Sequence, residues 1–234
     1  MNKAALLIGI NYKNTSHELN GCINDINDVK QMLITQYNFN EENIKIISDD
    51  STEIPTRENI INGINWLVEK NKNGCNNLWF HYSGHGSYIL DKNNDEIDGH
   101  DETICTLDDK EITDDKLDKI LVQKIASNTK LFCFMDCCSS GTLLDLSKDK
   151  PNEAKIICIS GCRDNQTSAD AFFNGRWSGA MTKYLLDILK KNEYKVPFRK
   201  LIKKLNRKLK RNGFTQRPQL SSNFKIKKHF CIQL

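Results

Sequence analysis

With 234 residues, 38% hydrophobic and 27% charged side chains and only four prolines, the chain has enough apolar material for a full core and not the composition of a disordered segment. Its formal charge is a modest +4, and no apolar run approaches the roughly 18 residues of a membrane-spanning helix. Nine cysteines without a secretory leader or a C-x-x-C pair argue against a disulfide framework and a structural zinc site, and fit reduced thiols in the cytoplasm.

In chain order, Lys3 to Ile10 reads as a first strand, Asn14 to Asn20 as a polar loop, and Gly21 to Gln36 as an amphipathic helix. Asn43 to Ser48 is a second strand. Thr56 caps the next helix, whose buried stripe is Ile60, Ile61, Ile64, Leu67 and Val68. The third strand, Asn77 to Tyr82, runs into Ser83-Gly-His-Gly-Ser87. An acidic stretch from Asp91 to Asp118 follows, with a short strand Thr103 to Thr106 and a helix capped by Thr113 and running to about Val122. Leu131 to Met135 is a buried strand ending in Asp136-Cys-Cys-Ser-Ser-Gly141, and Lys155 to Ser160 is a fifth strand. Helices over Gly179 to Lys191 and from about Phe198, and a last strand Lys225 to Gln233, complete the chain. Strands alternating with helices predict an α/β fold with a mostly parallel sheet.

Two strands that end in polar chemistry place that chemistry at the carboxyl edge of the sheet, where α/β folds bind ligands. His85, between two glycines, is the histidine free to face a substrate, since His17 and His100 lie in polar loops and His81 and His229 inside strands. An imidazole beside a thiol can take its proton, and Gly86 frees a backbone N–H for an oxyanion. The alternative for His85 is an incidental side chain in a glycine-rich turn. Alternate residues of an extended chain face opposite ways, so only one of Cys137 and Cys138 reaches the cleft.

His81-Tyr-Ser-Gly-His-Gly86 and Asp136-Cys-Cys-Ser-Ser-Gly141 resemble the two catalytic signatures of metacaspases, the caspase-like peptidases of plants, fungi and protists. Leu19 to Asp25, Asp98 to Thr103, Ile112 to Asp115 and Gln166 to Asp170 also resemble family segments, in family order. The resemblance implies a three-layer α/β/α sandwich of caspase type over residues 1–234, with a large-subunit-like part to about 146 and a small-subunit-like part from about 154. It implies Cys138 as nucleophile, His85 as acid/base, and an oxyanion hole from the N–H groups of Gly86 and Cys138. Cys22, Asp25, Ser83 and Asp136 would line a pocket for Arg or Lys, so protein or peptide substrates would be cut after a basic residue. For Asp25 a helix-terminal charge is the competing reading.

Calcium is the implied cofactor, held by Asp98, Asp114, Asp115 and Asp145; hard oxygen donors on loops suit a weak activating site. Asp91, Asn93, Asp95 and Glu102 have EF-hand spacing, but Glu96 stands where that loop needs glycine. Ser139 departs from the family's usual His, which leaves a catalytically weak binding protein, or another specificity, as alternatives. Lys148 and Lys150 are candidate self-cleavage sites. From Tyr194 onward there are thirteen Lys and Arg and no Asp or Glu, read as the wet face of a packed helix with no obligate nucleic-acid partner. By family analogy the chain is expected to be a monomer.

Overall fold

The computed structural model describes residues 2–91, 99–138, 146, 153–161 and 169–232. Its centre is a six-stranded sheet in the order β11-β8-β7-β3-β1-β2, in which all pairings are parallel except that of β11 with β8. The strands are β1 (Asn2–Gly9), β2 (Ile44–Ser48), β3 (Cys75–Ser83), β7 (Lys130–Asp136), β8 (Lys155–Ser160) and β11 (Gln219–Ser222).

Alternation along the central strands divides the apolar side chains between two layers. Leu6, Ile8, Phe80, Cys133 and Met135 pack with α2 (Arg57–Lys72) and α3 (Asp114–Ile120) on one face. Leu7, Trp79, Phe132 and Phe134 pack on the other face with α1 (Cys22–Tyr37), α4 (Ala180–Lys191) and α5 (Phe198–Arg211). This is the expected α/β/α sandwich. Thr56 caps α2 by accepting from the Asn59 N–H, and Thr113 caps α3 by accepting from the Lys116 N–H, as the sequence predicts.

Two short antiparallel assemblies flank the sheet's carboxyl edge. One joins β4 (Gly86–Leu90), β5 (His100–Cys105) and β6 (Glu111–Thr113); the other is the hairpin of β9 (Asp170–Phe173) and β10 (Arg176–Gly179). Sequence periodicity misses β4, β6, β9 and β10 because they are short and mostly half-exposed. It also misplaces the last strand. Within Lys225 to Gln233 the described residues make only an isolated bridge from Cys231 to Pro197, and the strand lies earlier, at β11. Ile226 and Ile232 are buried against the α5 layer without a ladder, so their alternation reports burial and not pairing.

Register brings the functional loops together. Gly9 pairs with Ser83 and Ser83 with Asp136, so β1, β3 and β7 end side by side.

Candidate active site

His85 follows the end of β3 by two residues and is gripped through its backbone. Its N–H donates to the Tyr12 hydroxyl at 3.0 Å, and its carbonyl accepts from the Tyr82 hydroxyl at 2.6 Å and the Cys105 N–H at 3.1 Å. Burial raises both phenols well above their usual range, so they remain hydrogen-bond donors. The imidazole lies 4.7 Å from the Tyr12 ring, and its Nε2 is 2.7 Å from the carbonyl oxygen of His17. A carbonyl only accepts, so in the neutral ring Nε2 carries the hydrogen and Nδ1 keeps the lone pair. Nδ1 is therefore the nitrogen able to receive a proton.

The two cysteines separate as alternation requires. Cys137 is fully buried in the core on the α2 face, whereas Cys138 is half-buried and lines a hollow of about 270 Å³ together with His85. The loop tips touch at Gly86. A Cβ there would stand 2.1 Å from the carbonyl oxygen of Cys138, so only glycine lets the chains approach this closely.

Cys22, Ser83, Asp136, Asp170 and Gly179 line the same hollow. Asp25 lies fully buried beneath it and accepts from the hydroxyls of Ser83 and Ser178 and from the Gly179 N–H. These contacts, not a free helix terminus, account for its place in α1. Oδ2 of Asp136 accepts from the N–H and the hydroxyl of Thr182, both at 2.8 Å. The two carboxylates converge on one point: a Cβ on Gly179 would fall 2.4 Å from Asp136 Oδ2 and 2.6 Å from Asp25 Oδ2.

Burial, with the nearby charge of Asp136, holds the Asp25 carboxyl well above the usual carboxylate range. A cation entering the hollow would relieve that penalty. Burial and Asp25 also raise the Cys22 thiol, which keeps it a neutral part of the wall. Gly179 has φ −61°, so alanine meets no backbone strain there and acts by bulk alone.

The implied calcium ligands are only partly within the described residues. Asp114 is buried at the start of α3, with its Oδ1 accepting from the Asp115 N–H at 2.7 Å. Asp98 and Asp145 lie outside the described residues, as do Ser139, Lys148, Lys150 and the EF-hand positions Asn93 and Asp95. Among the described residues, no three His, Cys, Asp or Glu side chains form a metal-binding group.

A model of the metacaspase peptidase C14 domain matches residues 3–147. Metacaspase-1 of Schizosaccharomyces pombe is 31% identical over 300 residues, an alignment covering 99% of this chain and 70% of the relative. The chain belongs to the metacaspase family. Metacaspase-3 of Arabidopsis thaliana is 36% identical over 216 residues, covering 80% of this chain and 59% of that protein. The chain thus spans about 59 to 70% of these relatives' length. Among solved structures, a structural-genomics protein of Geobacter sulfurreducens superposes with TM-score 0.75 at 26% identity, covering 100% of this chain and 97% of that one. Caspase-1 of Spodoptera frugiperda gives TM-score 0.68 at 13% identity over 94% of this chain and 86% of that one, a likeness of fold alone. Metacaspases are cysteine-type endopeptidases.

Several residues that build this metacaspase site escape sequence reasoning. Ser178, Gly179 and Thr182 hold the two carboxylates, yet in the sequence Gly179 and Thr182 read only as part of a helix and Ser178 carries no signal. His17 contributes a carbonyl, which no side-chain pattern can announce. Tyr82, next to the Ser83-Gly-His motif, was the one readable signal.

Proposed function

We propose that this metacaspase is a calcium-stimulated endopeptidase that cleaves after Arg or Lys, with Cys138 as nucleophile and His85 as acid/base. The observation that carries the reading is the convergence of Asp25 and Asp136 on the Gly179 wall of the hollow that Cys138 and His85 also line. Two buried carboxylates in a substrate hollow suit a guanidinium or ammonium group, and repel an acidic side chain.

In this reading Nδ1 of His85 takes the Cys138 proton, and the thiolate attacks the carbonyl carbon after the basic residue. The N–H groups of Gly86 and Cys138 donate to the oxyanion. His85 then protonates the leaving amine as the C–N bond breaks, leaving a thioester on Cys138. Water, deprotonated by His85, attacks the thioester and releases the acid product and the thiol. The Tyr12 and Tyr82 hydroxyls hold the His85 backbone, and the His17 carbonyl holds the ring at Nε2, in support of one orientation throughout.

Calcium would be held by Asp98, Asp114, Asp115 and Asp145. Hard carboxylate donors, with Asp114 buried at a capped helix start, fit that ion. Its chemistry there would be to neutralise the charge of the carboxylates that hold it. A reduced, cytoplasmic setting is supported by the eight described cysteines, none of which is joined in a disulfide among the described residues. No helix among the described residues is long and apolar enough to cross a membrane.

Fluorogenic peptides ending in Arg, Lys or Asp, assayed with calcium and with chelator, test the proposal. Release after Arg and Lys only, strongest with calcium and abolished by Cys138→Ala, is expected. Release only after Asp would overturn the pocket; equal rates in chelator would overturn calcium stimulation. A folded protein that cleaves none of them would be a binding scaffold.

A further inference from the structure

A second hollow, of about 390 Å³, lies on the other flank of His85. Of the residues lining the first hollow, only His85 also lines the second. Its walls include Tyr12, Cys105 and Leu107, and its mouth carries Asp109 and Glu111. Burial and Glu111 raise the Cys105 thiol to about 11, so this wall is uncharged. Lys110 also lines the hollow, but its Nζ is 3.0 Å from Asp108. Arg57 donates its Nε–H to the backbone carbonyl of Glu111 at 3.1 Å, which leaves the Glu111 carboxylate out of that bond. The lining thus combines apolar side chains with two carboxylates, Asp109 and Glu111, beside a lysine whose Nζ is 3.0 Å from Asp108.

The position of this hollow follows from the chemistry of the first, on which the inference rests. The imidazole that protonates the leaving amine must stand between the acyl half of the substrate and the departing half. With the basic residue seated over Asp25 and Asp136, the chain beyond the scissile bond passes His85 and enters the second hollow. We infer that this hollow is the leaving-group subsite, and that it takes a long side chain with an aliphatic stem and a cationic tip. The stem lies against Tyr12 and Leu107, and the ammonium or guanidinium reaches Asp109 and Glu111. The preferred substrate is then a pair of basic residues cut between its members.

Internally quenched peptides with Arg before the scissile bond and Lys, Leu or Asp after it test this in calcium-containing buffer. A coumarin amide of Arg, which has no residue after the bond, runs alongside. The expected order of kcat/KM is Lys, then Leu, then Asp, with about tenfold between Lys and Asp. In Asp109→Asn/Glu111→Gln the Lys-to-Asp ratio is expected to fall to about one; if the pair misfolds, Glu111→Gln alone is expected to reduce it. Coumarin release with no preference among the three peptides, or with Asp preferred, overturns the subsite while the proposed function stands. An unchanged ratio in the folded variant overturns the assignment of these two carboxylates. No coumarin release removes the proposed function, and this inference with it.

Discussion

Asp25→Asn is expected to lower kcat/KM for Arg and Lys substrates by about 100- to 1000-fold, a loss of roughly 3–4 kcal/mol, as for truncating one partner of a buried charge pair. The substitution keeps the shape of the side chain and removes its charge from beneath the hollow. His85 is held by other contacts, through Tyr12, Tyr82 and His17, so in the proposed mechanism alkylation of Cys138 by neutral iodoacetamide should keep its wild-type rate. A matching loss of alkylation would mean that Asp25 supports the dyad and not the substrate.

The same carboxyl predicts a pH dependence of binding. Its proton affinity is raised in the free protein by burial and by Asp136, so a cationic ligand must displace a proton where the pair is still partly protonated. Affinity for a guanidinium ligand such as agmatine should therefore strengthen as pH rises through the pair's titration and level off above it. Calorimetry in buffers of different ionisation enthalpy reads the released proton directly. Proton uptake, or no exchange, would contradict the shared-charge pocket.

The second large effect concerns stability. His81 is fully buried in β3, stacks at 6.5 Å on Phe134, and has no hydrogen-bond partner at either ring nitrogen among the described residues. Burial depresses its pKa from 6.5 to about 3. The unfolded chain then binds a proton that the folded chain refuses, so stability falls as pH drops below 6.5 and continues to fall toward 3. At 1.36 kcal/mol per unit, the loss from this residue is about 3 kcal/mol by pH 4. His81→Leu removes the proton acceptor and two unsatisfied nitrogens, and should be as stable as wild type or better at neutral pH. Denaturant midpoints measured from pH 7 to 4 should diverge by that amount in favour of the variant. Parallel curves would show that His81 is protonated in the fold or solvated within it.

Legibility in the sequence followed burial. β1, β3, β7 and β8 are covered on both faces and read as continuous apolar runs; α1, α2, α4 and α5 announce themselves by stripes at helical spacing. The flanking strands β4, β6, β9 and β10 carry little of that signal, because partners in a small antiparallel sheet hold them and not a buried face. The acidic stretch shows the same limit. Thr113 is visible as a cap, whereas the pairing of Thr103 with Thr113 depends on a chain reversal that no period encodes.

The sequence alone determined the chemistry on offer: a thiol and an imidazole after two buried strands, one cysteine of a pair facing outward, and carboxylates enough for a cation. Those properties are local, set by residue type and by the alternation of an extended chain. Only the tertiary structure decided which groups meet. Gly179 arrives from a distant hairpin to close the wall over Asp25 and Asp136, and the His17 carbonyl arrives from the loop after β1 to settle which nitrogen of His85 is bare. Contacts between segments so far apart depend on how strands register and layers pack, and backbone atoms leave no mark in a string of side chains.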